Sequence, residues 1–220
     1  MQIKLLGKNL NDIIPLLAKY NLTLSDNEEF DAVITHGGDG SLLGAERDYP
    51  GIPKFPIRDA ATAPTCLEHA LQSRLEAFSN GTLQLSTMPK VQAKVNGKTL
   101  TALNDVFLHN ADFASALRYR VKIDGQLYAN EVAGDGVCLA TPHGSSAYYR
   151  SITHSLFRTG IGLAFSNSTE EVDHLVLNDN SVVEVTITRG PGILLADNSP
   201  LRITVNEGDT VVFSKSEEYA

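Results

Sequence analysis

The sequence predicts an α/β N-terminal domain with a glycine-rich phosphate turn, followed by a β-rich, all-β sandwich-like C-terminal domain. Three observations predict it. Over residues 1–80, short apolar runs alternate with helix-compatible stretches, the order of an α/β layer. From about Leu83 the apolar period changes to two, as in half-buried strands. Asn-Gly and Asp-Gly pairs then punctuate that second region where tight hairpins would turn. The natural boundary is Asn80-Gly81, giving an α/β domain over 1–80 and a β-rich domain over 81–220.

In chain order, Met1–Leu6 reads as a strand, and Asn11–Tyr20 as a helix through Ile13, Ile14, Leu16 and Leu17. Asp31–Thr35 is a buried-type strand that runs into Gly37-Gly38-Asp39-Gly40, and Ser41–Arg47 can continue as a helix. Ile52–Ile57 is a further short strand. Ala63–Phe78 has the clearest helical period, with Leu67, Ala70, Leu71, Leu75 and Phe78 on one face and Pro64 suited to the first turn. Val91–Val95 and Lys98–Val106 flank Asn96-Gly97, whose residues tolerate the positive φ of a primed turn. Asp124-Gly125 marks a second hairpin between Tyr119–Ile123 and Gln126–Tyr128. One helix candidate, near Ser145–Ser155, interrupts the strands, with Ser145 and Ser146 as N-cap residues. Alternating runs at Ser181–Thr188, Leu201–Val205 and Thr210–Phe213 follow, and Lys215–Ala220 is expected to fray.

Composition bounds the function. At 220 residues the chain can bury a full core, and 42 % apolar with 20 % charged residues is ordinary for a globular protein. No run approaches the ~18 apolar residues of a membrane helix, and the first seven residues are too short an apolar stretch for a signal peptide. No membrane association and a cytoplasmic setting are therefore expected. Cys66 and Cys138 stand far apart without metal-ligand spacing, so neither a disulfide framework nor a zinc site is supported. A net charge of −8 with scattered Lys and Arg argues against nucleic acid and for a small ligand.

Three constellations carry chemistry. In the first, glycines at 37, 38 and 40 remove Cβ atoms between a strand and a helix, so N–H groups can approach an anion. A carboxylate at Asp39 would repel phosphate unless it meets a metal, a proton or a hydrogen bond; the alternative is a purely structural turn. In the second, Gly134-Asp135-Gly136 precedes an apolar strand that Thr141-Pro142-His143-Gly144 breaks before a hydroxyl-rich helix start; a hairpin turn and plain caps are the alternative. In the third, Leu103-Asn104-Asp105 places an amide beside a carboxylate within an apolar run, able to read a ribose or base edge, or else marking a bulge. The six histidines lack metal spacing, Ser145 lacks the Gly-x-Ser-x-Gly elbow, and the Walker and Gly-x-Gly-x-x-Gly patterns are absent.

Taken in order, Gly37–Gly40, Leu103–Asp105 and Asp135-Gly136 with Thr141–Tyr148 resemble the NAD kinase family, over roughly residues 31 to 151. Gly-Gly-Asp-Gly alone also fits phosphofructokinases and diacylglycerol or sphingosine-type lipid kinases. The Thr-Pro-x-Gly-Ser-Ser-Ala-Tyr segment favours NAD kinase. The resemblance implies ATP with a divalent cation, magnesium or manganese, and phosphoryl transfer to the adenosine-side 2′-hydroxyl of NAD. It implies Asp39 as the base, Gly37, Gly38 and Gly40 on phosphates, and Asn104 and Asp105 on the adenine-ribose region. Asp135 would meet the nicotinamide side, while Thr141, Ser146, Ala147, Tyr148 and Ser151 would line the dinucleotide pocket. A homo-oligomer is also implied.

The chain departs from the family pattern in several places. Asp105 replaces the usual Glu, and His143 replaces Ser or Thr. Phe55–Thr62 stands where the family has an Asn-x-Gly-x-Leu-Gly-Phe-Leu segment, and the chain is shorter around this stretch and after Tyr148. A kinase of the same superfamily with a sugar, lipid or nucleoside acceptor, or a non-catalytic NAD(P)-binding sensor, is the alternative.

Overall fold

The computed structural model describes residues 1–27, 29–61 and 70–220. It divides into two compact units, Met1–Thr87 with Ala220, and Met88–Tyr219.

In the first unit β1 (Gln2–Gly7), β2 (Thr23–Leu24), β3 (Ala32–Gly37) and β4 (Lys54–Arg58) form a parallel sheet in the order β2-β1-β3-β4. Every residue of the interior strand β3 is buried, which is why Ala-Val-Ile-Thr-His-Gly reads as a continuous apolar-type run. Pro56, which cannot donate to a ladder, is accommodated because β4 is an edge strand. The expected Asn11–Tyr20 helix is instead α1 (Ile14–Leu17) between two three-residue 3-10 turns. Ile13, Leu17 and Tyr20 still reach the core around Ile3, Ile34 and Phe55. After β3 comes α2 (Asp39–Asp48), and α3 (Leu71–Ser79) packs back on β4 with the Phe78 and Phe55 rings stacked 4.5 Å apart. The earlier part of the helix expected from Ala63, including Pro64, lies outside the described residues.

The second unit begins with β5 (Pro89–Val95), β6 (Lys98–Ala102), β7 (Asp105–Asn110), β8 (Leu117–Ile123), β9 (Gln126–Gly134) and β10 (Gly136–Ala140). After β10 come α4 (Tyr148–Thr153), β11 (Ile161–Ser166), β12 (Leu175–Leu177), β13 (Val183–Arg189), β14 (Gly192–Ala196), β15 (Ile203–Val205) and β16 (Thr210–Tyr219). They build two six-stranded antiparallel sheets, β12-β11-β10-β7-β14-β15 and β6-β5-β16-β13-β8-β9. Inward side chains of both, among them Leu108, Leu139 and Phe165 from one and Val121, Val185 and Phe213 from the other, share one core. The α/β plus β-sandwich fold class read from the sequence is thus the observed one. Both hairpins form at the expected dipeptides, with φ of 49° and 73° at Asn96-Gly97 and 51° and 78° at Asp124-Gly125.

Two differences bear on the site. The run expected as one strand from Lys98 to Val106 is two, because β6 pairs in one sheet and β7 in the other. Leu103 and Asn104 are where the chain crosses. The C-terminal segment does not fray: β16 continues to Tyr219, which pairs opposite Pro89.

Candidate functional site

In the first unit, β3 ends at Gly37 and α2 begins at Asp39, with Gly38 as an N-cap that contributes no side-chain hydrogen bond. A Cβ on Gly37, whose φ is 154°, would stand 2.4 Å from the Ser41 hydroxyl. Gly38 differs, since a Cβ there would meet nothing within 4 Å. The turn is therefore tight on one side and open on the other, the shape an incoming anion needs beside N-terminal helix amides. Asp39 sits in the first helical turn, and its Oδ1 accepts from Arg58 Nη2 at 2.8 Å. Arg58 is the residue opposite Gly37 in the β3–β4 register, so the sheet itself delivers a cation to the turn. Its neighbour Asp59 is buried and accepts from Asn9 Nδ2 at 2.7 Å, fixing the end of β4.

In the second unit, the polar turn Leu103–Asp105 and the segment Thr141–Tyr148 are one structure. Thr141 Oγ1 donates to Leu103 O at 2.6 Å and Thr141 N to Asn104 O at 2.8 Å. Gly144 N donates to Thr141 Oγ1 at 3.0 Å, and a Cβ at Gly144 would stand 2.1 Å from Asn104 O, so only glycine allows this approach. On the other flank, the Asp197 carboxylate accepts from the amides of Leu103 and Asn104 at 2.8 Å each and of Asp105 at 3.2 Å. The crossing between sheets leaves these amides without ladder partners, and Asp197 supplies the acceptor.

Burial pushes the Asp105 carboxyl up from 3.8 to about 7, the Asp197 carboxylate adding to the rise and the Tyr148 backbone N–H opposing it. Burial also raises Asp197, against the three amides and nearby His143. Cys138 is a free buried thiol, raised well above the ordinary range by burial, with Asp105 adding to it. The folded protein therefore keeps the Asp105 proton at a pH where the unfolded chain has released it. The stability this gives is complete below about pH 4 and is lost as pH rises through about 7. Measured against Asp105→Asn, which cannot ionise, the protein should show a falling melting temperature across that window. Parallel pH profiles for the two would refute the assignment.

Asp135 lies beside this cluster in sequence order, with its carboxylate accepting from Asn167 Nδ2 at 2.6 Å. Tyr148 and Ser151 line a cleft of about 490 Å3 with His154, Asn167, Glu170 and His174. The Tyr148 ring lies 5.0 Å from that of Phe107. The serines are not N-caps: Ala147 occupies the N-cap of α4, Ser145 Oγ donates to Pro142 O and Phe157 O, and Ser146 Oγ to His143 O. Their short hydroxyls close the 3-10 turn that precedes the helix instead.

Sequence reasoning had not singled out Asp197 or Asn167. Asp197 carries only the ordinary turn signal of Asp-Asn-Ser-Pro, and its partners lie more than 90 positions away.

A parallel α/β layer ending in a glycine turn, followed by a two-sheet sandwich, is a fold that solved proteins share. Over 100 % of this chain and 92 % of the other, it superposes with TM-score 0.81 and 18 % identity on an NAD kinase from Archaeoglobus fulgidus solved in complex with ATP. A yeast NADH kinase complexed with NADH gives TM-score 0.81 at 15 % identity, over 98 % of this chain and 78 % of that one. The family model of the ATP-NAD kinase C-terminal domain matches residues 103–220, more than half of the chain, which therefore belongs to the ATP-NAD kinase family.

Curated relatives agree. An NAD kinase of Halorubrum lacusprofundi is 29 % identical over 169 residues, 71 % of this chain and 61 % of its own length. One of Clostridium beijerinckii is 24 % identical over 185 residues, 78 % and 65 % respectively. One of Pseudomonas putida is 28 % identical over 206 residues, 87 % and 69 %. The chain thus spans less than two thirds of the length of the first two.

Proposed function

We propose that this protein transfers the γ-phosphoryl group of ATP to the 2′-hydroxyl of the adenosine ribose of NAD, giving NADP and ADP. The observation that carries the reading is the joined turn: Asn104-Asp105 and Thr141–Tyr148, separated in sequence by β7, β8, β9 and β10, are clamped together by direct contacts in the matched family region. In this reading the Asn104 carboxamide and Asp105 carboxyl hold the adenine-ribose half of the dinucleotide. Asp135 meets the nicotinamide side, and Thr141, Ser146, Ala147, Tyr148 and Ser151 line the pocket.

The amides at Gly37, Gly38 and Gly40 receive phosphate oxygens of ATP, and Asp39 accepts the proton of the attacking hydroxyl. Phosphoryl transfer relies on such positioning and charge stabilisation, with little covalent work for the protein. A magnesium or manganese ion would neutralise phosphate charge. Among the described residues no group of three or more His, Cys, Asp or Glu gathers, so the donor set fits a cation carried mainly by the nucleotide, with Asp39 as the carboxylate at hand.

The reading extends to a homo-oligomer in the cytoplasm. Phe113, 89 % exposed beside the His109 ring, suits burial against a second copy, and the free Cys138 thiol suits a reducing setting. No described helix is long and apolar enough to cross a membrane. The deciding experiment incubates purified protein with ATP, magnesium or manganese, and NAD, and follows NADP. Product formation is expected. Dinucleotide binding without product under either metal would make the protein a sensor instead, and light scattering reads the oligomer.

A further inference from the structure

The chain passes from one sheet to the other at Leu103-Asn104, and at such a crossing the backbone has no ladder to fix it. What fixes it here is a single side chain. Asp197 follows β14, whose last residue, Ala196, pairs with Val106 of β7, so Asp197 stands beside Asp105 on the neighbouring strand. Its own N–H donates to Asp105 O at 3.0 Å while its two carboxylate oxygens collect the amides of Leu103, Asn104 and Asp105. It does this at φ 47°, a left-handed conformation that Asp and Asn tolerate better than other residues with side chains. Thr141 holds the same turn from the opposite flank through its carbonyls, and Gly144 N in turn donates to Thr141 Oγ1, so both the donors and the acceptors of the crossing are taken up. With the backbone thus engaged, the Asn104 carboxamide is left with no hydrogen-bond partner among the described residues.

We propose that Asp197 is the positioning residue of the dinucleotide site: by holding the Leu103–Asp105 amides it aims the Asn104 and Asp105 side chains at the adenosine half of NAD. This rests on the NAD kinase reading above. Asp197 touches neither phosphate nor reacting atoms in this role. Its removal should therefore weaken NAD binding while sparing the ATP side.

The charge of Asp197 has a second effect. The groups facing Asp105 are Asp197 on the adjacent strand, the Cys138 thiol from β10 and the Tyr148 N–H from the start of α4, with His143 facing Asp197. Of these, Asp197 is the one carboxylate, and its negative charge holds the Asp105 proton on. A variant that keeps its shape without its charge should move the pH dependence of NAD binding, which loss of packing alone would not do.

Asp197→Asn and Asp197→Ala are compared with wild type by calorimetric titration of NAD, by steady-state KM for NAD and for ATP, and by amide hydrogen exchange at Leu103, Asn104 and Asp105. Asn suits the same backbone conformation and retains one carbonyl acceptor, so it serves if Ala does not fold. Expected are faster exchange at the three amides and a Kd for NAD raised about ten- to a hundredfold, the scale of losing hydrogen bonds to a charged group. KM for ATP should stay within about twofold. The pH midpoint of NAD binding should move to lower pH in Asp197→Asn. Wild-type exchange rates, or wild-type NAD affinity and midpoint, in Asp197→Asn would overturn the proposal. A wild-type protein that binds no NAD would instead overturn the kinase reading and with it the ligand role of Asp197, whereas the exchange data would still decide whether Asp197 anchors the turn.

Discussion

Replacing Asp39 by Asn is expected to lower kcat of NADP formation by about a hundred- to ten-thousand-fold, the contribution of a positioned base, while leaving NAD affinity and melting temperature close to wild type. The separation follows from where Asp39 sits. Its partner is Arg58, at 2.8 Å, but their side chains are 63 % and 41 % exposed, and an ion pair that wet contributes little to folding. Its place in the first turn of α2 favours negative charge only modestly. The substitution therefore removes the proposed proton acceptor from the glycine turn with little cost to the fold. In Asp39→Asn the Arg58 guanidinium also loses its carboxylate partner. A variant with an unchanged melting temperature and kcat within a few-fold of wild type would remove Asp39 from the mechanism.

How much of this was legible in the sequence differs by kind of signal. Local signals read well. The buried run of β3 into Gly37–Gly40 and then α2 needs only apolar continuity and glycine, and both hairpins needed only their dipeptides. Where a strand is buried on both sides, the period-two signal fails. Central strands β10 and β11 send Val137, Leu139, Leu163 and Phe165 into the sandwich core, while Cys138 and Ala164 on the other face pack with Tyr149 of α4. Ile161–Ser166 and Gly192–Ala196 accordingly carry no clear alternation of apolar and polar types. The end of β16 was misjudged because chain ends are poorly ordered unless tied down, and here the ladder with β5 reaches Tyr219 opposite Pro89. The motifs located Leu103, Asn104, Asp105, Thr141 and Gly144 of the joined turn. Asp197 is visible only once β14 lies beside β7.

The second large effect concerns Gly144, whose substitution by Ala is expected to cost both the fold of the turn and the proposed dinucleotide site. An ideal Cβ at Gly144 would lie 2.1, 2.4 and 2.5 Å from the O, C and Cα atoms of Asn104. These are backbone atoms already tied to Thr141 and Asp197, so no flexible side chain can swing away. The two segments must part, which breaks Thr141 N to Asn104 O and strains Thr141 Oγ1 to Leu103 O. Overpacking costs about 1–3 kcal/mol, and each lost hydrogen bond about 0.5–1.5 kcal/mol. A fall of roughly 5–10 °C in melting temperature is expected, with NAD affinity lowered by about tenfold or more. Gly38→Ala is the contrast. Its φ of −94° suits any residue and its Cβ would meet nothing, so folding should be unaffected. If phosphate approaches through that open space, the methyl group should still raise KM for ATP. The pair of glycines thus separates a position kept small by the protein itself from one kept small for a ligand. Wild-type melting and NAD affinity in Gly144→Ala would refute the close approach, and an unchanged KM for ATP in Gly38→Ala would refute the phosphate cradle.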